Sequence, residues 1–234
     1  MKDHYHTAVQ ALGSNPAVFL HPDNFRVHHR LSDVTALPSL PYDLFLLDRD
    51  GTLQGYHATT RLANFESTLE MLKNKAEIIS NSSFDEVRRI RDVFGDVLPI
   101  AQVVRLRNIC SPVILRFVHG QLSLHLYDLP GGLTRNLIGY DESFVADAIV
   151  ARYKKPDPLV VRAVVALNVN THRVVHRPRV LMVGDRYLTD VVAGNCAGVN
   201  TALVNPVVPR ADPLSLWLSR YCLDVPVGCV MSRV

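Results

Sequence analysis

Asp43-Leu44-Phe45-Leu46-Leu47-Asp48-Arg49-Asp50-Gly51-Thr52-Leu53 is the stretch that decides the fold. Leu44 to Leu47 run without a polar break, and two carboxylates one residue apart follow, then a glycine. A short apolar run closed by a turn residue predicts a strand buried on both faces, as in a parallel sheet. Open α/β sheets take their ligands beyond the C-terminal ends of the strands. Asp48 and Asp50 are therefore expected at that rim, with Arg49 between them pointing the other way. The competing reading is a strand that ends in a solvated, charged turn, and only the rest of the chain can separate the two.

Downstream, residues 51–60 read as a loop. Over 61–74, Leu62, Phe65, Leu69 and Leu72 recur at helical spacing and predict an amphipathic helix. Residues 76–79 read as the second buried strand, which ends in Ser80-Asn81-Ser82-Ser83. Ser82 or Ser83, with Asp85 and Glu86 after it, suits the capped start of a helix reaching about Phe94. A third short strand is expected at 97–100. This alternation is the doubly wound, Rossmann-like α/β pattern with a parallel sheet.

From 103 to 140 the rhythm changes. Residues 113–118 and 122–127 are β-like around His119-Gly120-Gln121, which suits a hairpin, and Leu129-Pro130-Gly131-Gly132 is a turn. The region reads as an insertion of roughly 30–40 residues, too small for a domain of its own, within a single domain over 41–234. A helix is expected over 141–153, capped by Asp141 or Ser143. It breaks at Lys154-Lys155-Pro156-Asp157-Pro158, and another helix runs over 158–167 with proline in its first turn. Residues 180–183 are a buried strand ending in Gly184-Asp185-Arg186-Tyr187-Leu188-Thr189-Asp190. A helix to Cys196 closed by Gly198, a strand over 201–204 and a last helix over 212–221 complete the pattern.

The totals narrow the classes of function. The 234 residues are 48% apolar and 20% charged, with a net charge of +3 and no long basic run, which argues against nucleic acid as a partner. Cys110, Cys196, Cys222 and Cys229 are widely spaced, so neither a disulfide frame nor a zinc knuckle is expected. Cys110 and Cys196 are expected in or near the core. No apolar run is long enough to span a membrane, and residues 1–10 lack the apolar stretch of a secretory signal. Residues 1–40, rich in Pro and Asn, read as a lead-in with a short helix near 5–12. Its His28-His29-Arg30 cluster reads as a solvated patch rather than a metal or phosphate site.

Three predicted strands end in polar clusters: Asp48/Asp50, Ser80/Asn81 and Asp185/Asp190. In a parallel sheet these ends share one edge, and Lys154-Lys155 sits at a turn that can reach it. Carboxylates crowded together without ligand nitrogens suit a hard divalent cation such as Mg²⁺. A hydroxyl, helix-start N–H groups and a lysine add an anion site. Together they point to phosphoryl transfer, in which positioning and charge neutralisation supply most of the catalysis.

Asp48-Arg49-Asp50-Gly51-Thr52-Leu53, Ser80-Asn81-Ser82, Lys155-Pro156 and Gly184-Asp185-Arg186-x-x-Thr189-Asp190 resemble, in order, the four motifs of the haloacid dehalogenase (HAD) superfamily phosphatases. The resemblance covers roughly residues 43–205 and implies a role for each position. Asp48 would be the nucleophile that forms an aspartyl-phosphate. Asp50 would protonate the leaving oxygen and then deprotonate the attacking water, its carbonyl also binding Mg²⁺. Ser80 and the Asn81 amide would hold the phosphoryl oxygens. Lys155 would neutralise the intermediate, with Lys154 as the fallback. Asp185 would ligate Mg²⁺, with Asp190 beside it or acting through water. Arg186 would hold substrate or pair with Asp190.

Only 32 residues separate Asp48 from Ser80, which leaves no room for a large cap and suits an open site. Within the superfamily, the lead-in segments Leu20-His21-Pro22 and Ser32-Asp33-Val34, with the Ser-Asn-Ser, Lys-Lys-Pro and Gly-Asp-Arg-x-x-Thr-Asp forms, are similar to the phosphatidylglycerophosphate phosphatases of mitochondria and bacteria. Gly51 stands where that group has Asn. This resemblance implies a lipid phosphate substrate on the way to cardiolipin and peripheral membrane contact through Phe25, Arg26 and His28–Arg30. It implies the matrix side of the mitochondrial inner membrane in a eukaryote, or the cytoplasm in a bacterium. The rival expectations are a soluble phosphatase of a small metabolite or sugar and a non-catalytic Mg²⁺-binding module.

Overall fold

Leu44–Leu47 is a strand buried along its whole length, and in the computed structural model it lies inside a single ten-stranded sheet. The structure describes residues 21–55, 58, 62–128, 132–138, 140–171 and 179–207. Among these the strands are β1 (His29–Leu31), β2 (Leu44–Leu47), β3 (Ala76–Ile79), β4 (Ile100–Leu106), β5 (Val113–Val118), β6 (Gln121–Asp128), β7 (Leu133–Leu137), β8 (Ile149–Tyr153), β9 (Val180–Gly184) and β10 (Asn200–Val204). The α-helices are α1 (Glu66–Leu72), α2 (Phe84–Phe94), α3 (Glu142–Ala148), α4 (Pro158–Asn170) and α5 (Val192–Ala197).

The sheet runs β1-β10-β9-β2-β3-β4-β5-β6-β7. It is parallel from β1 to β4 and antiparallel from β4 to β7. Side chains alternate between two cores, as strand geometry requires. Phe45, Leu47, Ile78, Leu181 and Val183 pack on one face with Leu69 of α1 and Val87, Ile90 and Phe94 of α2. Leu44, Leu46, Ile79, Val180 and Met182 pack on the other with Val160, Val161, Val164 and Leu167 of α4. Each large side chain fully buried in this way is worth about 1.5–3 kcal/mol. The chain is thus a doubly wound α/β fold whose strand order reverses between β2 and β9, the place where such sheets bind ligands.

The local signals that shaped these elements are visible in the caps. Ser83 Oγ accepts from Glu86 N–H at the start of α2, Asp141 caps α3 through Phe144 N–H, and Asp157 caps α4 just before Pro158. Gly198, at φ +80°, ends α5 in the left-handed conformation. The β5–β6 hairpin turns at His119 and Gly120, both with positive φ.

Several expectations need correction. The third strand spans Ile100–Leu106 rather than 97–100. The helix expected over 141–153 stops at Ala148, and Ile149–Tyr153 becomes β8. Helical spacing held through Ala148, but β3 pairs with β4 only at Ile100 and Ala101. The rest of that edge needs a partner, and β8 supplies it antiparallel at Val103–Leu106. The helix expected over 61–74 is a 3₁₀ turn, Ala63–Phe65, followed by the shorter α1. The hairpins of 103–140 continue the main sheet as β5–β7.

The residues around His28 are a solvated patch only in part: Arg30 is exposed, while His28 and His29 are half-buried. His29–Leu31 is the strand β1, paired in parallel with β10; His28 hydrogen-bonds Thr201, and His29 bonds the Tyr42 hydroxyl. Phe25 is buried against Leu188 and Val192, so it cannot serve as a membrane contact. Cys110 is exposed rather than near-core, and Cys196 is half-buried. The helices expected over 5–12 and 212–221 lie outside the described residues.

Candidate active site

Register alone brings the motif residues together. Leu47 pairs with Ile78 of β3 and with Val183 of β9, and the Asp48 N–H continues the ladder to the Val183 carbonyl at 2.8 Å. Asp48, the Ser80–Asn81 pair and Asp185 therefore leave three adjacent strands at one level of one rim. Asp48, Asp185 and Asp190 each bring a carboxylate oxygen within 4.8 Å of the other two.

Lys155 closes the cluster. Its ammonium donates to Asp48 Oδ1 at 2.5 Å and to Asp190 Oδ1 at 2.7 Å, and the residue is 1% exposed. Burial works against this charge, but Asp190 and Asp48 outweigh it and the net shift of the ammonium is upward, so it stays protonated. Burial also pushes the Asp190 carboxyl up, with Lys155 opposing and Asp48 adding to it. Of the two lysines, Lys155 is the one whose ammonium reaches Asp48; Lys154 is half-buried beside it.

Two backbone features hold Lys155 in place. The Asn81 side chain grips its peptide from both sides, accepting from Lys155 N–H at 2.8 Å and donating to Lys155 C=O at 3.1 Å. This commits the Asn81 side-chain amide to positioning and leaves its backbone N–H as the group for an incoming anion. The strand β8, unforeseen from the sequence, delivers Lys155 to that grip. Asp190 in turn folds back over Gly184, where an added Cβ would lie 2.2 Å from its carboxylate. The close approach is possible because no side chain intervenes. Asp190 Oδ2 accepts from the Arg186 backbone N–H at 3.3 Å, within the π-helical turn Tyr187–Val191 that opens α5. Arg186 thus meets Asp190 through its backbone.

Asp50 sits in a tight turn in which the Arg49 carbonyl accepts from the N–H groups of Thr52, Leu53 and Gln54. Gly51 supplies φ +80° there, a conformation Gly takes freely and Asn tolerates best among the others. Arg49 does not point away as strand alternation predicts. β2 ends at Leu47, the alternation lapses, and Arg49 Nη2 donates to Asp50 Oδ2 at 2.5 Å, Glu86 Oε1 at 2.8 Å and Ser82 Oγ at 3.0 Å. Burial lifts the Asp50 carboxyl above the ordinary carboxylate range, Arg49 opposing and Asp48 and Glu86 adding to the rise. Ser80 is buried, and its hydroxyl accepts from Ser82 N–H at 3.1 Å. The Arg49–Glu86 contact was hidden in the sequence, where Glu86 reads only as an acidic first-turn residue.

The donors around Asp48 and Asp185 are all oxygens, which fits a hard divalent cation. Both Asp190 oxygens already accept within the protein, so Asp48 and Asp185 are the carboxylates best placed to take one, with Asp190 orienting Lys155.

Residues 152–215 match the family model of HAD-hydrolase-like proteins, a span that takes in Lys155, Asp185, Arg186 and Asp190. Over that span the chain is similar to HAD-like hydrolases, and the span takes in the end of β8, α4, β9 and the turn that opens α5. No curated protein and no solved structure matches the chain.

Proposed function

We propose that the protein is a Mg²⁺-dependent phosphomonoesterase that works through an aspartyl-phosphate on Asp48. The observation that carries this reading is the buried Lys155 ammonium, held 2.5 Å from one oxygen of Asp48 and locked behind by Asp190 and Asn81. A carboxylate so paired is held in one orientation, as a nucleophile toward phosphorus has to be. Asp48 attacks the phosphoryl group and the ester P–O bond breaks. Lys155, Ser80 Oγ and the Asn81 N–H offset the charge on the phosphoryl oxygens. Asp50, its proton favoured by burial, gives that proton to the leaving oxygen and takes one back from the water that cleaves the acyl phosphate. Mg²⁺, held by Asp48 and Asp185 with the Asp50 carbonyl, would supply further charge neutralisation at the phosphate.

For the substrate we propose a lipid phosphate, phosphatidylglycerophosphate, met at a membrane surface and, in a eukaryotic cell, in the mitochondrion. What supports this is the likeness of the lead-in and motif forms to that group of phosphatases, together with the short Asp48–Ser80 spacing that leaves the rim open to a bulky ester. No described helix is long and apolar enough to cross a membrane, and the contact with lipid that we propose is peripheral. The test is phosphate release with Mg²⁺ and with a chelator from a panel of esters that includes phosphatidylglycerophosphate in mixed micelles. Lipid turnover well above that of soluble esters is expected. Equal or better turnover of soluble esters overturns the lipid assignment, and no Mg²⁺-dependent release from any ester overturns the phosphatase reading.

A further inference from the structure

The geometry points to Glu86 as a positioning residue for Asp50, acting through the buried Arg49. This rests on the phosphatase reading and concerns the one step in which Asp50 is the acid. Arg49 is 1% exposed, and a guanidinium so placed costs several kcal/mol unless it is paired. Strand pairing does not require it, and the apolar cores on either side of β2 do not use it. Its Nη2 is shared between Asp50 Oδ2, Glu86 Oε1 and Ser82 Oγ, so one nitrogen ties the β2 turn to the first turn of α2. Asp50 is held by a single oxygen, while its Oδ1 is buried without a hydrogen-bond partner. The carboxyl is therefore oriented from one side only, by Arg49, and Arg49 is in turn fixed by Glu86.

Glu86 Oε1 meets Arg49 Nη2 at 2.8 Å from the first turn of α2. Its contribution is angular: with Glu86 in place, Arg49 can lie in one position, and the Asp50 oxygen opposite the clamp keeps one direction relative to the ester. Without the Glu86 charge, Arg49 is left to Asp50 and Ser82 and draws Asp50 toward itself. Protonation of a leaving oxygen depends steeply on such geometry, since a misplacement of about 1 Å costs about 10²-fold. A good leaving group needs little protonation and is insensitive to it.

The test compares kcat/KM, which reports steps up to formation of the phosphorylated Asp48, for an aryl phosphate and a simple alkyl phosphate. The variants are Glu86→Gln and Arg49→Lys, with thermal unfolding measured alongside. For Glu86→Gln the alkyl ester is expected to lose about tenfold, and the aryl ester less than about threefold, with the fold intact. Arg49→Lys, which keeps the charge but not the fork, is expected to show the same selective loss. Equal losses on both esters, or no loss on the alkyl ester, overturn the assignment of Glu86 while leaving the phosphatase reading in place. A wild-type chain that releases phosphate with Mg²⁺ from neither ester, nor from phosphatidylglycerophosphate in mixed micelles, overturns both.

Discussion

Two buried ionic clusters sit in the same sheet and do different work. At the rim, Lys155 bridges Asp48 and Asp190. In the interior, Arg116 of β5 donates two hydrogen bonds to Glu77 of β3, at 2.9 and 3.1 Å, and Asn168 of α4 adds a third at 2.8 Å. The interior cluster is closed: Glu77 is fully buried and both its oxygens accept from side chains that no ligand can reach. The rim cluster is lopsided: three carboxylates whose oxygens lie within 4.8 Å of one another are met by the Lys155 ammonium and, at Asp190, by the charge of Arg186. The same chemistry is structural where its charges balance inside the protein. Where a negative excess faces the open end of the strands, it can serve a cation and a phosphate.

The contrast is broken most severely at Lys155. Lys155→Met leaves the rim carboxylates facing one another and, on the proposed mechanism, removes the group that would neutralise the reacting phosphoryl. Turnover is expected to fall at least about 10²-fold, with a lower melting temperature that added Mg²⁺ partly restores. Steady-state kinetics and thermal unfolding with and without Mg²⁺ check both. The interior cluster is expected to behave in the opposite way. Arg116→Met strips the fork from buried Glu77 and should cost about 3–5 kcal/mol of stability, while the Arg116→Met/Glu77→Leu pair should recover most of it. Turnover per folded molecule should change little in either variant, and denaturant unfolding alongside activity decides it.

Gly184→Ala is expected to fall between the two. The new methyl would lie 2.2 Å from the Asp190 carboxylate, so Asp190 must move and Lys155 loses its brace. A loss of about 1–3 kcal/mol is expected, with reduced turnover that Mg²⁺ does not rescue. The smallest effect concerns pH and belongs to neither cluster. Burial lowers the folded-state pKa of His28, with Arg26 and His29 adding to it, and burial and Arg116 lower that of His125, both from an ordinary 6.5. The unfolded chain then takes up protons before the folded one does. Stability is fully present above the ordinary value and declines as pH falls through it toward the folded values. The raised carboxyls of Asp190 and Asp50 act in the opposite sense, so the histidine contribution is read by difference: on going from about pH 7.5 to 5.5, His28→Gln should lose less melting temperature than the wild type.

Much of this was legible in the chain because it rests on local rules. The short strands at Leu44–Leu47, Ala76–Ile79 and Val180–Val183, and the caps at Ser83, Asp141 and Asp157, depend on neighbours in sequence. The parallel register then carries Asp48, Asn81 and Asp185 to one rim. What stayed hidden depends on partners far away. β8 exists because β3 leaves part of β4 unpaired, and no helical or strand period in 141–153 announces that. β1 is a strand because β10 offers it an edge. Glu77 stands inside an apolar run, where its charge makes sense only once Arg116, 39 residues on, is seen against it. Arg49 defied strand alternation because the strand had already ended.

The central claim is that Asp48 carries the phosphoryl group, and it is tested most directly by a single-turnover experiment. The full chain is mixed with Mg²⁺ and a phosphate ester labelled at phosphorus, the reaction is quenched in acid within the first turnover, and the label is traced by peptide mapping. Label on the Asp48 peptide that appears before free phosphate, and is lost in Asp48→Asn together with turnover, is the predicted result. Phosphate release that proceeds without label on Asp48, or that persists in Asp48→Asn, would contradict it.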